Sequence, residues 1–315
     1  MQISVVVPLY NEEESLPSLA EWIDEVMTAN KMSYEVIMVD DGSNDHSWRV
    51  VEYLMGKSKQ VRGIRFQRNY GKAAALNEGF KAASGDVVVT LDADLQDSPE
   101  EIPELYKMIT EEGFDLVSGW KQKRFDSFHK RFPSKFFNGI TRSVSGIKLH
   151  DFNCGIKAYR NDVVKSIEIY GEMHRYIPLI AYQAGFKHIG EKVVQHQKRL
   201  YGQPKYESFS RGIKGLLDLL SLTFIQRFGK RPMHLFGFSG SLLFIAGFGI
   251  FIWLAIAKFA FHQYNMTSRP LFFFGLLCMI IGTQFFMAGF LGEMISRNGA
   301  DRNRYLIAKK SGWDE

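Results

Sequence analysis

Two carboxylates and an amide lie close together in the first third of the chain, and these residue types can hold a metal. The segment reads Leu91-Asp92-Ala93-Asp94-Leu95-Gln96 and ends the apolar run 86–91. In extended backbone, side chains two positions apart point to the same side, so Asp92 and Asp94 can face one ligand. Oxygen donors suit a hard divalent cation that keeps several waters and shares substrate phosphates. An isolated Asp-x-Asp is also common in solvated turns, so the surrounding motifs must decide between a metal site and a turn.

The segments before about residue 205 predict an α/β domain that would position these groups. Short apolar runs read as strands at 3–7, 34–39, 61–66, 86–91 and 115–119. The clearest helical patterns lie between them, at 13–27 and 73–83. This alternation favours a largely parallel sheet, in which ligands bind beyond the carboxyl ends of the strands. Polar candidates follow three of the predicted strands: Tyr10, Asn11, Glu12, Asp40, Asp41 and the segment from Asp92 to Gln96.

The last third of the chain contains two long uncharged runs. Segments 233–257 and 270–292 have no Asp, Glu, Lys or Arg. Each is long enough to cross a hydrocarbon layer of about 30 Å as a helix, although a pair of buried core helices is the alternative. Basic residues lie before the first run and after the second: Arg227, Lys230, Arg231, Arg297, Arg302, Arg304, Lys309 and Lys310. The connecting loop has only Lys258 and Arg269, so the positive-inside rule predicts that both termini are cytosolic.

A further amphipathic pattern precedes the first run. Apolar residues recur there at helical spacing: Ile213, Leu216, Leu217, Leu220, Phe224 and Phe228. Interspersed cations favour a helix lying in the membrane interface, with packing on the soluble domain as the alternative. We therefore expect four regions: a cytosolic domain at 1–205, juxtamembrane helices at 206–231, two transmembrane helices at 232–292 and a cytosolic tail at 293–315.

Composition and missing motifs exclude several functional classes. The net charge of +5 includes no basic stripe with groove-reading elements, so we expect no nucleic-acid partner. Cys154 and Cys278 are far apart in different contexts, which fits a reducing compartment without a disulfide framework. Segment 1–8 lacks a signal-peptide pattern, so we expect the bulk of the chain to stay in the cytosol. Dinucleotide, P-loop, hydrolase-elbow and zincin motifs are missing from the sequence.

Ordered motifs in the first two hundred residues resemble those of family 2 glycosyltransferases. The matching segments are Val7-Pro8-Leu9-Tyr10-Asn11-Glu12, Val39-Asp40-Asp41-Gly42-Ser43-x-Asp45, Arg68-Asn69-x-Gly71-Lys72, Leu91 to Pro99, Asp151 to Lys157, and Arg199-x-x-Gly202-x-x-Lys205-Tyr206. Together with two C-terminal spans, they resemble the polyprenyl-phosphate glycosyltransferases, which include dolichyl-phosphate mannose synthases and undecaprenyl-phosphate glucosyltransferases. Asn153-Cys154-Gly155 departs from the Ser-Gly-Phe form of the mannose synthases, which leaves the sugar open.

The resemblance implies a GT-A fold, Rossmann-like with a mainly parallel sheet, and inverting transfer of one sugar from a nucleotide-diphosphate sugar to a polyprenyl phosphate. By similarity, the nucleotide sugar would contact Pro8, Tyr10, Glu12, Asp41, Lys72, Asp92 and Ala93. Asp94 and Gln96 would hold Mg²⁺ or Mn²⁺, and the catalytic set would be Asp94, Asp151 and Arg131. The acceptor phosphate would be bound by Arg131, Ser134, Arg199 and Lys205.

Several roles remain open at this point. Asp151 could be a base or could orient a sugar hydroxyl, and Asp41 could instead cap the next helix. Most other cations after the fifth predicted strand, including Lys121, are expected to be solvated or to face lipid. Cys154 is expected to be a packing residue. The remaining residues expected to be structural are His174 and His196.

UDP-glucose is the first donor to expect, and the protein would be integral to a bacterial inner or plasma membrane, with homo-oligomers possible in principle. A processive polysaccharide synthase is one alternative. Those enzymes resemble one another in a Gln-x-x-Arg-Trp motif, whereas this chain has His196-x-x-Arg199-Leu200. A membrane-tethered module that binds nucleotide sugars without turnover is the other alternative.

Overall fold

The computed structural model describes residues 1–122, 142, 146–171, 173–197, 224, 228, 231–261 and 266–298. The chain divides into two compact units, Met1–Leu219 and Leu220–Glu315. The first unit contains a mixed sheet with helices on both faces, and the second contains two long apolar helices.

The sheet of the first unit has seven strands in the order β3-β2-β1-β4-β6-β5-β7. The strands are β1 (Ile3–Leu9), β2 (Tyr34–Asp40), β3 (Val61–Arg65), β4 (Val87–Thr90), β5 (Leu116–Trp120), β6 (Lys157–Arg160) and β7 (Ile189–Val193). Among the described residues, four neighbouring pairs of strands are parallel, and only β6 runs antiparallel, between β4 and β5. The expectation of a mainly parallel α/β sheet is therefore confirmed.

The sequence patterns identified the first five strands to within two residues but did not predict the last two. β6 is four residues long and both its ends are cations, Lys157 and Arg160, so it lacks the apolar run that marks a buried strand. β7 reads Ile-Gly-Glu-Lys-Val and lies at the edge of the sheet, where polar residues are tolerated.

Helices cover both faces of this sheet. The first unit contains α1 (Leu16–Ala29), α2 (Ser47–Lys57), α3 (Lys72–Ala82), α4 (Ile102–Thr110), α5 (Asn161–Ser166) and α6 (Ile177–Gln183). α1 buries Leu16, Leu19, Ile23 and Met27, a stripe at helical spacing that joins the same apolar cluster as Val5. α3 packs on the opposite face so closely that a Cβ on Gly79 would lie 2.3 Å from Val6 Cγ1.

The position of β1 inside the sheet explains why this strand is so apolar. All seven of its residues are buried, because β1 pairs with β2 and β4 and is covered on both faces. Its carboxyl end therefore opens beside those of β2 and β4. α1 begins at Leu16 rather than at the expected residue 13, because the Ser15 and Leu16 N–H groups close a turn on the Glu12 carbonyl.

The second unit contains α7 (Pro232–Phe259) and α8 (Pro270–Asn298), joined through a 3₁₀ turn at Met266–Ser268. Only 17% of the most apolar window of each helix is buried, whereas the core helices of a soluble protein would be mostly buried. This low burial argues against the alternative of two buried core helices, and length and composition suit a membrane span. Of the juxtamembrane region at 206–231, only Phe224, Phe228 and Arg231 are described, so that expectation lies mostly outside the described residues.

Candidate active site

A cavity opens at the carboxyl ends of β1, β2 and β4, where the sequence motifs end. Its walls are formed by Pro8, Leu9, Tyr10, Glu12, Asp41, Lys72, Ala75, Asp92, Ala93 and Asp94. The structure thus brings together all seven residues expected to contact a nucleotide sugar, and one of the two expected metal ligands. They come from four separate motifs, and the parallel sheet places them side by side.

Asp41 ties the end of β2 to the loop before α3. Its carboxylate accepts hydrogen bonds from the backbone N–H groups of Tyr70, at 2.7 Å, and Gly71, at 2.9 Å. Burial raises the pKa of Asp41, and these two donors offset part of that rise. The turn after β2 is closed by the neighbouring Asp40, whose carboxylate accepts a hydrogen bond from the Ser43 N–H at 2.9 Å. Asp41 therefore does not cap the following helix.

Two residues that are next in sequence to cavity-lining residues have left-handed backbones that usually favour glycine. Asn11 has φ +54, and its amide group is held because Asn44 N donates to Asn11 Oδ1 at 2.8 Å. Leu95 has φ +57 and is buried. A non-glycine residue in this region costs about 1–2 kcal/mol, so the surrounding contacts must hold it.

The turn at Leu95 also changes how the Asp-x-Asp segment is built. The extended backbone assumed from the sequence ends at β4, and residues 93–95 form a turn. Gln96 N donates to Asp94 Oδ1 at 3.2 Å, while the Gln96 carbonyl accepts from Gln197 N at 2.9 Å. Asp92 and Asp94 line the same cavity because of this turn, not because of strand alternation.

Lys72, the first residue of α3, forms an ion pair with Asp92. Lys72 Nζ lies 2.5 Å from Asp92 Oδ1, and about a third of each side chain is exposed (36% and 31%). Burial alone would raise the pKa of Asp92, but Lys72 outweighs it and lowers the pKa to about 2. Asp92 is therefore ionised at neutral pH, and Lys72 has a charge partner that a bound diphosphate could replace.

A second ion pair lies behind the first. Lys121 Nζ is 2.5 Å from Asp97 Oδ1, and this lysine is only 13% exposed. The expectation that most cations after β5 are solvated therefore does not hold for Lys121. The sequence did contain a signal that Lys121 is buried near the site, because it directly follows β5 and residues at that edge of the sheet face the cavity region.

Gly155 is where the carboxylates of Asp92 and Asp97 approach each other. A Cβ on Gly155 would lie 2.4 Å from Asp97 Oδ2 and 2.6 Å from Asp92 Oδ2. The Gly155 carbonyl accepts from Thr90 Oγ1 at 2.9 Å, so this contact joins the start of β6 to the end of β4. Only glycine leaves room for both carboxylates.

Asp151 and Cys154 lie next to this centre but are buried. Asp151 is 1% exposed, its N–H donates to Glu191 at 3.0 Å, and its Oδ1 accepts from Asn153 N at 3.1 Å. Burial raises the pKa of the Cys154 thiol to about 12. A thiol with that pKa is not nucleophilic at neutral pH, which agrees with a packing role.

The oxygen donors of Asp94 and Gln96 fit a hard divalent cation better than a transition metal bound only by protein. Within the described part of the chain, no group of three or more His, Cys, Asp or Glu residues could hold a metal. Mg²⁺ and similar ions are often bound by one or two carboxylates while substrate phosphates and waters complete the shell. Asp94, which lines the cavity, fits that arrangement, whereas Gln96 is not among the cavity-lining residues.

The residues expected to bind the acceptor phosphate, Arg131, Ser134, Arg199 and Lys205, lie outside the described residues. Their places in the site remain predictions.

Comparison with known proteins identifies the class and then the family. The fold matches glucosyl-3-phosphoglycerate synthase from Mycobacterium tuberculosis in complex with UDP, with TM-score 0.56 and 23% identity over 70% of this chain and 80% of that chain. The mixed sheet with its helices is therefore a GT-A fold. Residues 4–168 match Glycosyl transferase family 2, and the chain belongs to that family.

Two curated relatives match almost the whole chain. A dodecaprenyl-phosphate galacturonate synthase from Rhizobium johnstonii is 35% identical over 302 residues, 94% of this chain and 88% of that protein. An undecaprenyl-phosphate 4-deoxy-4-formamido-L-arabinose transferase from Proteus mirabilis is 37% identical over 316 residues, 99% of this chain and 94% of that protein. The protein is thus an enzyme of the polyprenyl-phosphate glycosyltransferase group, and the alternative of a non-catalytic binding module is wrong.

Proposed function

We propose that the protein transfers one sugar, with inversion, from a nucleotide-diphosphate sugar to the phosphate of a polyprenyl phosphate at the cytosolic membrane face. The observation that carries this proposal is the cavity in which Asp41, Lys72, Asp92 and Asp94 meet at the ends of the parallel strands. The relatives named for dodecaprenyl and undecaprenyl phosphate support the acceptor class. Transfer of a single sugar, rather than processive synthesis, also agrees with those names.

The donor nucleotide would lie along the cavity wall. Asp41, Pro8, Tyr10, Glu12 and Ala93 would surround the base and ribose, and Lys72 would leave Asp92 to contact the diphosphate. Asp94 and Gln96 would hold Mg²⁺ or Mn²⁺, which stabilises the charge that develops on the leaving nucleoside diphosphate.

The acceptor needs guidance more than activation. A phosphate monoester has its second pKa near about 6, so it is mostly dianionic at neutral pH and is already a nucleophile. Arg131, Ser134, Arg199 and Lys205 would orient it in line behind the anomeric carbon. Asp151 would hold the 151–155 segment in place beside the site and would not abstract a proton, because it is 1% exposed and its Oδ1 accepts a hydrogen bond from the Asn153 N–H.

The donor sugar is the part of the proposal to test first. UDP-glucose is the donor expected from the sequence, while the two relatives are named for galacturonate and formamido-arabinose. We would measure transfer of labelled sugar from UDP-glucose, UDP-galacturonate, UDP-4-deoxy-4-formamido-L-arabinose and GDP-mannose into undecaprenyl phosphate, with Mg²⁺, Mn²⁺ or EDTA. A single metal-dependent lipid product is expected. Products with several sugars would favour a processive synthase instead.

Asp94 gives the sharpest test of the metal assignment. We expect Asp94→Asn to abolish transfer, because an amide loses the charge that attracts the cation. Its thermal unfolding should match that of the unmodified enzyme, since Asp94 lines the open cavity. An Asp94→Asn enzyme with full activity would contradict the assignment.

The orientation in the membrane can be tested by labelling. Thr267 is exposed in the turn between α7 and α8, and Asn30 is exposed after α1. In intact cells, a membrane-impermeant maleimide should label Thr267→Cys but should label Asn30→Cys only after permeabilisation. The unmodified chain, with Cys154 and Cys278 both buried, serves as the background. The opposite labelling pattern would place the catalytic domain outside.

A further inference from the structure

A small polar recess lies behind the Lys72–Asp92 ion pair. Its wall is formed by Lys72, Leu76, Thr90, Asp92, Asn153, Cys154, Gly155, Lys157, Tyr159, His174 and Ile177. Lys72 and Asp92 also line the donor cavity, so their ion pair is the common wall of the two spaces. The recess has a volume of about 10 Å³, which is close to the space that one water-sized oxygen needs.

His174 is, together with the Tyr159 hydroxyl, one of two groups in this recess whose buried polar atom has unused hydrogen-bonding capacity in the described part of the chain. It belongs to the 3₁₀ turn Met173–Arg175, just before α6. Its Nδ1 is buried and has no hydrogen-bond partner among the residues that the structure describes. Lys157 Nζ, in contrast, donates to the Cys154 carbonyl, and Thr90 Oγ1 donates to the Gly155 carbonyl. A buried polar atom without a partner is costly, so an oxygen in the recess would satisfy it.

The surroundings of His174 make it a neutral recognition group. Burial, together with the positive charges of Lys72, Arg175 and Lys157, lowers the pKa of His174 well below its ordinary value. At neutral pH the imidazole is uncharged and can accept a hydrogen bond at one nitrogen while donating at the other. Such a group suits a hydroxyl or a water, and it does not attract a carboxylate or a phosphate.

We propose that His174 is a specificity-determining residue that binds one neutral oxygen in this recess, supplied by a hydroxyl of the donor sugar or by a water that the sugar contacts. The proposal rests on the proposed function, because the recess can contact a substrate only if a nucleotide sugar binds in the adjoining cavity. Lys72 is the movable part of the common wall, since a diphosphate that draws it from Asp92 opens the recess toward the sugar.

The test compares binding of UDP with binding of UDP-sugars, which add the sugar that would reach the recess. The probes are UDP, UDP-glucose and UDP-galacturonate with Mn²⁺, measured by calorimetry on the full-length enzyme in detergent. For His174→Ala we expect UDP affinity to stay within about twofold, while affinity for the preferred UDP-sugar falls about tenfold, the loss of one hydrogen bond. His174→Gln should recover most of it, since an amide also donates and accepts.

The control is His46→Ala, a substitution of an exposed histidine at the start of α2, which should change neither affinity. Thermal unfolding of each variant separates a lost contact from a lost fold, and His174→Gln keeps the test informative if His174→Ala unfolds. Deoxy analogues of the preferred donor then identify the hydroxyl: whether it binds His174 directly or through a water, the analogue that lacks it loses affinity in the unmodified enzyme but not in His174→Ala. The two sources are separated by an analogue methylated at that oxygen, because a recess with room for one oxygen excludes an O-methyl group when the hydroxyl itself enters it.

The inference is overturned if His174→Ala and His174→Gln bind UDP and UDP-sugars with the same affinities as the unmodified enzyme. It is also overturned if both variants lose UDP and UDP-sugar affinity equally. Failure of the proposed function looks different, because the unmodified enzyme would then bind no UDP-sugar and form no lipid-linked product.

Discussion

At the scale of single residues, the candidate site depends on balanced charge around Asp92. Two carboxylates, Asp92 and Asp97, are each paired with a lysine, at 2.5 Å in both cases. Charges of this kind are tolerated below the surface because each has a close partner, and removal of one partner leaves the other uncompensated. In the proposed function, Lys72 would exchange this carboxylate partner for the diphosphate of the donor.

Gly155 should be intolerant of any side chain, because both carboxylates occupy the place of its Cβ. We expect Gly155→Ala to lower kcat/KM more than tenfold and to destabilise the protein by about 1–3 kcal/mol, as overpacking usually does. Gly56→Ala is the matched control, since a Cβ there meets nothing within 4 Å and alanine favours a helix. Steady-state transfer and urea unfolding measure both effects, and an unaffected Gly155→Ala enzyme would contradict this packing.

The pH dependence of donor binding should reveal the Lys72–Asp92 pair. Lys72 holds the pKa of Asp92 at about 2, below its unfolded value, so the stabilising charge is present at neutral pH and is lost only in strong acid. In Lys72→Met, burial is no longer opposed by this cation and the pKa of Asp92 should rise.

Metal-dependent UDP binding in Lys72→Met should then weaken on going from about pH 7 to about pH 4, as the carboxyl group takes up its proton. The unmodified enzyme should keep its Asp92 ionised over that range. Lys81→Met is the control, because Lys81 lies on the same helix and pairs with Glu78 at the surface, where its side chain is 64% exposed. A flat profile for Lys72→Met would show that the pair does not set the charge of Asp92.

At the scale of elements, α7 and α8 contact each other through glycines. Gly240 and Gly282 face each other, and a Cβ on either would lie 2.6 Å from the carbonyl oxygen of the other. A Cβ on Gly247 would lie 2.5 Å from the Gly275 carbonyl. Gly247 lies seven residues after Gly240, and Gly275 lies seven residues before Gly282. Seven residues are about two helical turns, so the contact continues along one side of each helix. Small residues are what allow helices to pack this closely in a membrane.

Gly282→Leu should therefore force the two helices apart, while Gly249→Leu should not, because a Cβ on Gly249 meets nothing within 4 Å. We expect the first substitution to cost about 1–3 kcal/mol and the second to be nearly neutral. Thermal unfolding in detergent, followed by circular dichroism, compares the two variants. Equal unfolding temperatures for both would argue against the glycine contact.

At the scale of the whole molecule, the two units are suited to different surroundings, the first to water and the second to lipid. The first has a conventional buried core, whereas the second exposes large apolar side chains such as Ile245, Trp253 and Ile295 along most of its helical surface. Contiguous apolar surface of that extent is not stable in water and suits lipid. A reaction between a soluble nucleotide sugar and a lipid phosphate needs both environments in one protein.

The full-length protein should consequently stay in the membrane fraction after washes with high salt and with alkaline carbonate, and should be released by detergent. Surface electrostatic attachment alone would be broken by salt, because ionic contacts at a surface are screened. Recovery of the protein in the salt or carbonate supernatant would contradict an integral membrane protein. The experiment is best read by quantitative immunoblotting of each fraction.

The sequence by itself determined the parts that depend on local pattern. Strand β1 and helix α1 follow from apolar patterning, the two long helices follow from uncharged runs, and the cavity at the strand ends follows from motifs that end parallel strands. These features are predictable because each depends on neighbours a few residues apart, and because parallel strand ends meet at one edge.

Only the tertiary structure decided what lies behind Asp92. Lys121 follows β5, Gly155 precedes β6 and His174 lies in a turn before α6, so their proximity depends on the insertion of β6 between β4 and β5. That pairing joins segments far apart in the chain, and no local period encodes it. The left-handed turn at Leu95 is likewise held by contacts from Gln197, about a hundred residues later. Long-range pairing therefore decided that Lys121 pairs with Asp97 and that His174 lines the recess.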